Sequence, residues 1–307
     1  MPNPRGASEG NVTAGDKDRP LLAAALLIAG AMFIPLGDAF AQLAAQNTSY
    51  VSGELAWMRF VIGVGIVLPI AMLRASTAIR TWKFWVVQSV RGALIAGTIF
   101  CIITAIDLIP LGDAYGAFFI GPAIATLLGY LVLKEAVRPL EWIAVIGGFI
   151  GVAIVLQPGN AIVPGHAWAL MAGALYGSYF AATRWAQSSA PAMTQLAGQL
   201  CVGMVLLSPL ALDAVMSKPL QSPELLLGSG VASVVGNLLI IMAFANARAA
   251  FLSPLVYCQL IAAVFYGWAM ASQTPQPSTL VGIAIIFVAG LAPILGQKTI
   301  ASRDAHR

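Results

Sequence analysis

From Leu21 onward the chain reads as long apolar runs separated by short polar links. A helix rises 1.5 Å per residue, so crossing a hydrocarbon core takes about 17–25 apolar residues. Ten runs meet that length: 21–44, 53–73, 85–106, 112–133, 139–156, 165–183, 193–212, 225–245, 250–271 and 278–296. The links carry Gly, Pro, Asn, Ser or charge, the residues that punctuate helices. None of them is long enough to hold a soluble domain between spans. Residues 1–20 are polar, and this predicts a disordered tail.

Composition agrees with that pattern. Hydrophobic residues make up 59% of the 307 positions, charged residues 9%, and the mean hydropathy is +0.87. A soluble domain carries about 25% charge, so this chain belongs in a lipid bilayer. The net charge of +4 is scattered along the sequence, which excludes a nucleic-acid stripe. It reads instead as a topology signal. With the N-terminus in the cytoplasm, thirteen Lys and Arg residues fall inside, Lys218 alone falls outside, and Arg59 and Arg91 lie within spans. Both termini are therefore expected in the cytoplasm. Trp82, Trp85, Trp142, Trp168 and Trp185 sit near span ends, as interfacial anchors do. A rival reading makes Lys17 to Ala41 a signal peptide that is cleaved after Ala39-Phe-Ala41.

Chemistry is sparse. Cys101, Cys201 and Cys258 lie in apolar runs at unrelated spacings, and the two histidines, His166 and His306, rule out a His-rich metal site. No H-E-x-x-H, G-x-S-x-G or Walker loop is present, and no enzyme activity or cofactor is expected. Polar groups inside spans are costly and mark function by default. Asp38 lies about six residues from the outer end of span one, and Arg59 is at matching depth in span two, each roughly 9 Å in at 1.5 Å per residue. Three readings of Asp38 stay open: an ion pair with Arg59, a carboxylate in a solute cavity, or part of a cleaved leader. Pro35 is expected to kink its helix and free a carbonyl. Arg91 reads as a snorkelling side chain at the inner interface. Thr104, Tyr176, Tyr179, Asn237, Tyr257 and Gln259 are the further cavity candidates, joined by Ser178 and Ser233. Gly147-x-x-x-Gly151 and Ala232-x-x-x-Gly236 are small-residue faces for close packing.

Two echoes run through the sequence. IPLGDAF at 34–40 returns as IPLGDAY at 109–115, where Asp113 is expected to cap the helix of span four. A second echo pairs LVLKEAVRPLEWIAVIGGFIG at 131–151 with AMASQTPQPSTLVGIAIIFVAG at 269–290, an offset of 138 residues and five spans. Five is odd, so the second copy is inverted. The expected fold is an all-α membrane protein of ten transmembrane helices in two inverted five-helix repeats.

At these residues the chain resembles the EamA-type transporters of the drug/metabolite transporter superfamily. The stretch 105–159 carries the likeness through Asp113-Ala114, mid-helix Pro122, Glu135 and Pro158-Gly159. Ser253-Pro254, Tyr257, Gln259, Gly267-Trp268, Leu280, Gly282 and Arg59 extend it. One departure is Gln273, where the second repeat of such proteins usually carries Glu. The resemblance implies a tail at 1–20, five-helix repeats at 21–159 and 160–298, and a second tail at 299–307. It implies a secondary carrier in the bacterial inner membrane, leaning to export of an amino acid or related metabolite. Uptake of a vitamin-like solute such as riboflavin is the alternative within transport. A scaffold subunit without transport is the reading from another class, and the shortness of the loops argues against it. The expected partners are a small-molecule solute, the lipid bilayer and protons as a candidate coupling ion, in a monomer or homodimer. Phe100, Tyr115, Tyr176, Tyr179 and Tyr257 are the aromatics available to such a cavity.

Overall fold

The computed structural model describes residues 19–73, 79, 81–134, 137, 139–156, 163–247 and 249–289, and every regular element among them is helical. The expected repeat boundary after residue 159, along with Glu135 and Pro158-Gly159, lies outside the described residues. The helices are α1 (Pro20–Asn47), α2 (Ser52–Leu73), α3 (Trp82–Leu108), α4 (Leu111–Phe118), α5 (Gly121–Leu131) and α6 (Pro139–Leu156). They continue as α7 (Pro164–Trp185), α8 (Ala192–Ser217), α9 (Pro223–Asn246), α10 (Ala249–Leu252), α11 (Cys258–Ala271) and α12 (Pro277–Ala289). Among the described residues, six helical stretches are long and apolar enough to cross a membrane. Counting α4 with α5, and α10 with α11, the described residues form ten helical stretches at the places where the hydrophobic pattern predicts spans. Ile143, Ile146, Phe149, Leu206, Leu210, Val281 and Val288 point outward from the bundle, a surface that suits hydrocarbon and not water.

The ends of the helices follow local chemistry. Pro20, Pro139, Pro164 and Pro223 open helices, where a missing N–H costs nothing. Thr81 caps α3 by accepting from the Phe84 N–H. At the far end of α1, the side chains of Asn47 and Thr48 donate to the carbonyls of Leu43 and Ala44 in the last turns. Asn246 does the same for Met242 at the end of α9. The first-span helix runs unbroken through Ala39-Phe-Ala41 and packs along α9. It is an integral part of the bundle.

Spans four and nine are both broken, at matching places. Between α4 and α5 the chain turns at Phe119–Ile120, just before Gly121-Pro122. Between α10 and α11 a 3-10 segment, Ser253–Tyr257, begins at Ser253-Pro254. Each proline removes a backbone donor and forces the break. Interrupted helices in corresponding positions of two halves mark the binding region of many carriers.

Helix partners also repeat between the halves. α1 packs mainly on α9, and α7 mainly on α3; α2 lies against α8; α1 meets α11 as α7 meets α4 and α5. Exchanging the first five spans for the last five maps this set of contacts onto itself. Small residues set the spacing. A Cβ on Gly30 would lie 2.8 Å from the Gly236 carbonyl, and one on Gly236 would lie 3.1 Å from that of Gly30. Gly151 and Gly282 join α6 to α12 with the same reciprocity, at 2.8 and 2.7 Å. Bare backbones pressed this close are the main packing force available in lipid.

Gly173 tests the spacing, because a Cβ there would fall 2.2 Å from the Phe118 carbonyl, while nothing lies within 4 Å of a Cβ on Gly65. Gly173→Ala is expected to cost about 1–3 kcal/mol, as overpacking does, and Gly65→Ala to leave stability unchanged or slightly raised. Thermal melts of the two purified variants against wild type check both.

Candidate functional site

The polar centre forms where α1, α2, α4 and α9 meet. Arg59 on α2 sends all three of its nitrogens into this knot. Nη1 donates to Asp38 Oδ1 at 2.6 Å, Nη2 to the Gly37 carbonyl at 2.9 Å, and Nε to Ser229 Oγ at 3.1 Å. The hydroxyl of Tyr115 on α4 donates to the second carboxylate oxygen of Asp38 at 2.5 Å. Both charged side chains are almost fully buried. Gly37 makes the approach possible, because a Cβ there would lie 3.0 Å from the Ser229 carbonyl on α9. Of the open readings of Asp38, the ion pair is present in the structure, and the same carboxylate also faces a cavity.

That cavity is lined by Ile34, Asp38, Arg59, Thr98, Tyr115, Phe118, Tyr176, Ser233 and Asn237, among others. Its volume is about 20 Å³, room for one or two waters. The Asn237 amide donates to Ser233, and its Oδ1 is buried with no partner among the described residues. Tyr176 accepts from Gln259 Nε2 at 3.0 Å, leaving Gln259 Oε1 buried and unpaired. Aromatic rings continue from the site in a chain. Tyr115 meets Phe118 at 5.3 Å, Phe118 meets Tyr176 at 4.9 Å, and Tyr176 stacks on Tyr179 at 6.1 Å with an interplanar angle of 7°. Tyr176 also meets Phe180 at 4.2 Å, and Phe180 meets Phe244 at 5.0 Å.

The predicted site residues thus divide. Asp38, Arg59, Tyr176 and Asn237 share the cavity, with Gln259 directly behind Tyr176. Tyr179 lies one ring further along, donating to Gln199 Oε1 at 3.2 Å. Thr104 bonds back to the Phe100 carbonyl of its own helix, and Tyr257 packs on Phe119; neither lines the cavity. Phe100 turns to Trp168 instead. Thr98 and Ile95 line the cavity without having been singled out, since a lone Thr or Ile in an apolar run carries no signal.

Two expectations are corrected. Arg91 does not snorkel: its side chain is 0% exposed. It lies nine residues into α3, about 14 Å along the helix axis, with α7 and α8 closing over it. Asp113 does not cap α4 through its own turn. The N-cap is Pro110, without a side-chain bond, and Asp113 accepts instead from Thr279 Oγ1 of α12 at 2.5 Å. The acceptor for the start of α4 comes from the second half: Gln273 Oε1 takes the Leu111 N–H at 3.0 Å. Ser272, with a left-handed φ of 53°, ends α11 so that the Gln273 N–H returns to the Gly267 carbonyl and the side chain can reach α4. At the same end of the bundle Lys218 pairs with the buried Glu54 at 2.8 Å. The basic residue that departs from the topology bias is therefore neutralised.

A bundle of ten spans, two of them broken beside a buried charged site, defines a multi-pass membrane carrier. The EamA-like transporter family model matches the chain twice, at residues 21–157 and 163–292, and the chain belongs to that family, within the drug/metabolite transporter superfamily. Among its relatives, a riboflavin transporter of Brucella anthropi is 25% identical over 86% of this chain and 95% of that protein. A riboflavin transporter of Vibrio cholerae is 27% identical over 94% and 97%. An S-adenosylmethionine uptake transporter of Rickettsia felis is 25% identical over 84% and 87%. A solved crystal structure, 16% identical, superposes with a TM-score of 0.66 over 90% of this chain and 98% of its own, which shows a shared fold.

Breaking one side of a buried ion pair costs about 3–5 kcal/mol, whereas replacing both partners by apolar groups can be neutral. Asp38→Asn is therefore expected to lower the melting temperature of the purified protein sharply. Asp38→Leu combined with Arg59→Met should recover more than half of that loss. A double variant no more stable than the single one would contradict the pairing.

Proposed function

We propose that this EamA-family transporter of small metabolites carries a ring-bearing solute across the bacterial inner membrane by alternating access, with both termini in the cytoplasm. The observation that carries this reading is the buried Asp38–Arg59–Tyr115 site, set on the seam between the halves and continued by a chain of aromatic rings. Rings offer flat, polarisable walls to a planar solute, and the charged knot and the open Asn237 Oδ1 supply a few fixed polar contacts. The relatives named for riboflavin and S-adenosylmethionine support a ring system over the simple amino acid toward which the sequence leaned.

Size requires movement. A cavity of about 20 Å³ cannot hold such a solute, because small-molecule sites run to about 300–1,000 Å³. The halves must part. At the end that carries the α1–α2 link, polar contacts tie one half to the other: Lys218 to Glu54 and the Ser49 carbonyl, Gln221 to Ser49 and Tyr50, the Tyr50 hydroxyl to the Pro219 carbonyl, Gln273 to the Leu111 N–H, and Thr279 to Asp113. These are the contacts that open when this end admits solute. Gln273 supplies here the acceptor that a Glu would supply, and it does so without a charge that would have to be rehydrated on opening. The departure from the family pattern therefore leaves the helix-end contact in place.

Counterflow in proteoliposomes tests the reading, with labelled riboflavin and S-adenosylmethionine offered separately and the sign of accumulation recorded. Wild type is expected to move at least one of them, and Asp38→Asn to slow it at least tenfold, the loss of about 1.4 kcal/mol or more at the site. Wild-type vesicles that move neither solute, or an Asp38→Asn protein as fast as wild type, would contradict it.

A further inference from the structure

Among the described residues two arginines are deeply buried, and one of them has a carboxylate partner. Arg59 meets Asp38. Arg91 meets only neutral groups: Nη1 donates to Gln88 Oε1 at 2.8 Å and Gln195 Oε1 at 3.0 Å, and Nε to Thr183 Oγ1 at 3.3 Å. Its guanidinium carbon sits 5.6 Å from the ring centroid of Tyr179. Arg91 Nη2 and Gln88 Nε2 are both buried without a partner among the described residues. A charge held in a membrane interior without a counter-charge is costly, and such residues face a partner or a pathway.

Placement strengthens the contrast. The Asp38 knot uses α1, α2 and α9; the Arg91 cluster, with Tyr179 and Gln199, uses α7, α8 and α3. These are the elements that the exchange of halves interconverts. Where the first knot has Asp38 on α1, the second has the neutral Tyr179 on α7. The two clusters lie toward opposite ends of the bundle, and the Tyr176–Tyr179 stack joins them through the aromatic chain.

We propose that Arg91, with Gln88 and Gln195, is the binding site for an anionic group, carboxylate or phosphate, on the transported solute. The solute supplies the counter-charge that the protein omits. Arg91 presents a planar fork suited to two acceptor oxygens, and its free Nη2 lies beside the free Gln88 amide. A lipid phosphate is a poor occupant, since Arg91 is fully covered and about 14 Å along α3 from the helix end. The site is reached when the halves part at this end. This inference rests on the carrier reading and narrows its substrate class: among ring-bearing solutes, those with an acidic group are preferred.

The test uses full-length protein in phosphatidylcholine nanodiscs and two matched pairs of probes, benzoate with benzamide and riboflavin 5′-phosphate with riboflavin. Thermal melts are recorded against probe concentration. The anionic member of at least one pair should raise the melting temperature saturably by several degrees more than its neutral partner. Arg91→Gln should abolish that difference and leave any effect of the neutral partners unchanged. Arg91→Lys should keep the preference but weaken it about tenfold, the loss of one charge-assisted bond of the fork. Without probes, Arg91→Gln should be as stable as wild type or more so, because it removes an uncompensated charge; a purely structural Arg91 would make that variant markedly less stable. The proposal is overturned if neither pair shows a difference, if Arg91→Gln keeps it, or if Arg91→Gln does not fold. It is overturned equally if phosphatidylglycerol alone produces the Arg91-dependent stabilisation. Counterflow separates the readings: neutral riboflavin moved equally by wild type and Arg91→Gln leaves the carrier standing without its anion site. Arg91-dependent anion binding in vesicles that move nothing would leave the site standing without the carrier.

Discussion

A carboxylate and a guanidinium taken out of water each lose several kcal/mol of solvation, and only close contact and full hydrogen bonding return it. Asp38 and Arg59 meet at 2.6 Å, and the second carboxylate oxygen and the other two guanidinium nitrogens each find a partner in Tyr115, the Gly37 carbonyl or Ser229. Four helices must converge to within hydrogen-bond reach for this to happen. α1 brings Asp38 and Gly37, α2 brings Arg59, α4 brings Tyr115, and α9 brings Ser229. The first three belong to one half and the last to the other, so one electrostatic requirement fixes both the fold of a half and its seat on its counterpart.

Convergence on that scale needs thin helices. Gly30, Gly37 and Gly236 bring α1 and α9 into backbone contact, and Gly173 and Gly177 let α7 press against the break between α4 and α5. Across the same seam, Ile34 and Phe40 of α1 sit over Gly236 and Gly228 of α9, and Ile240 of α9 sits over Gly30. The contacts that tie the halves near the α1–α2 link are polar. Water at that end can take over the hydrogen bonds of Lys218, Gln273 and Thr279, whereas the knot beneath them is buried in this structure.

Much of this was legible in the sequence because the bilayer imposes a length. Ten runs became ten spans, with ends moved by a few residues: α3 begins at Trp82 and not at 85. The matching depths of Asp38 and Arg59 were enough to suggest their meeting. The failures came where partners arrive from far along the chain. Nothing local announces that Gln273 accepts from the start of α4, 162 positions away, or that Tyr115 reaches Asp38. Arg91 was misplaced because depth was counted from one helix alone. Two neighbouring helices, and not distance from the interface, hide it. The proline breaks were legible as prolines, but not as a matched pair until the halves could be compared.

Alternating access, as proposed, requires the cavity beside Asp38 to open to one side of the membrane at a time. Thr98 lines it, is almost fully buried, and donates to the Leu94 carbonyl of its own helix. Thr98→Cys in a protein with Cys101, Cys201 and Cys258 replaced by alanine can be offered a membrane-impermeant maleimide from either face. Modification is expected from both faces in separate experiments, at rates that a transported solute shifts in opposite directions. A cysteine that stays unreactive from both faces, or reacts from one face alone with or without solute, would contradict alternating access around this site.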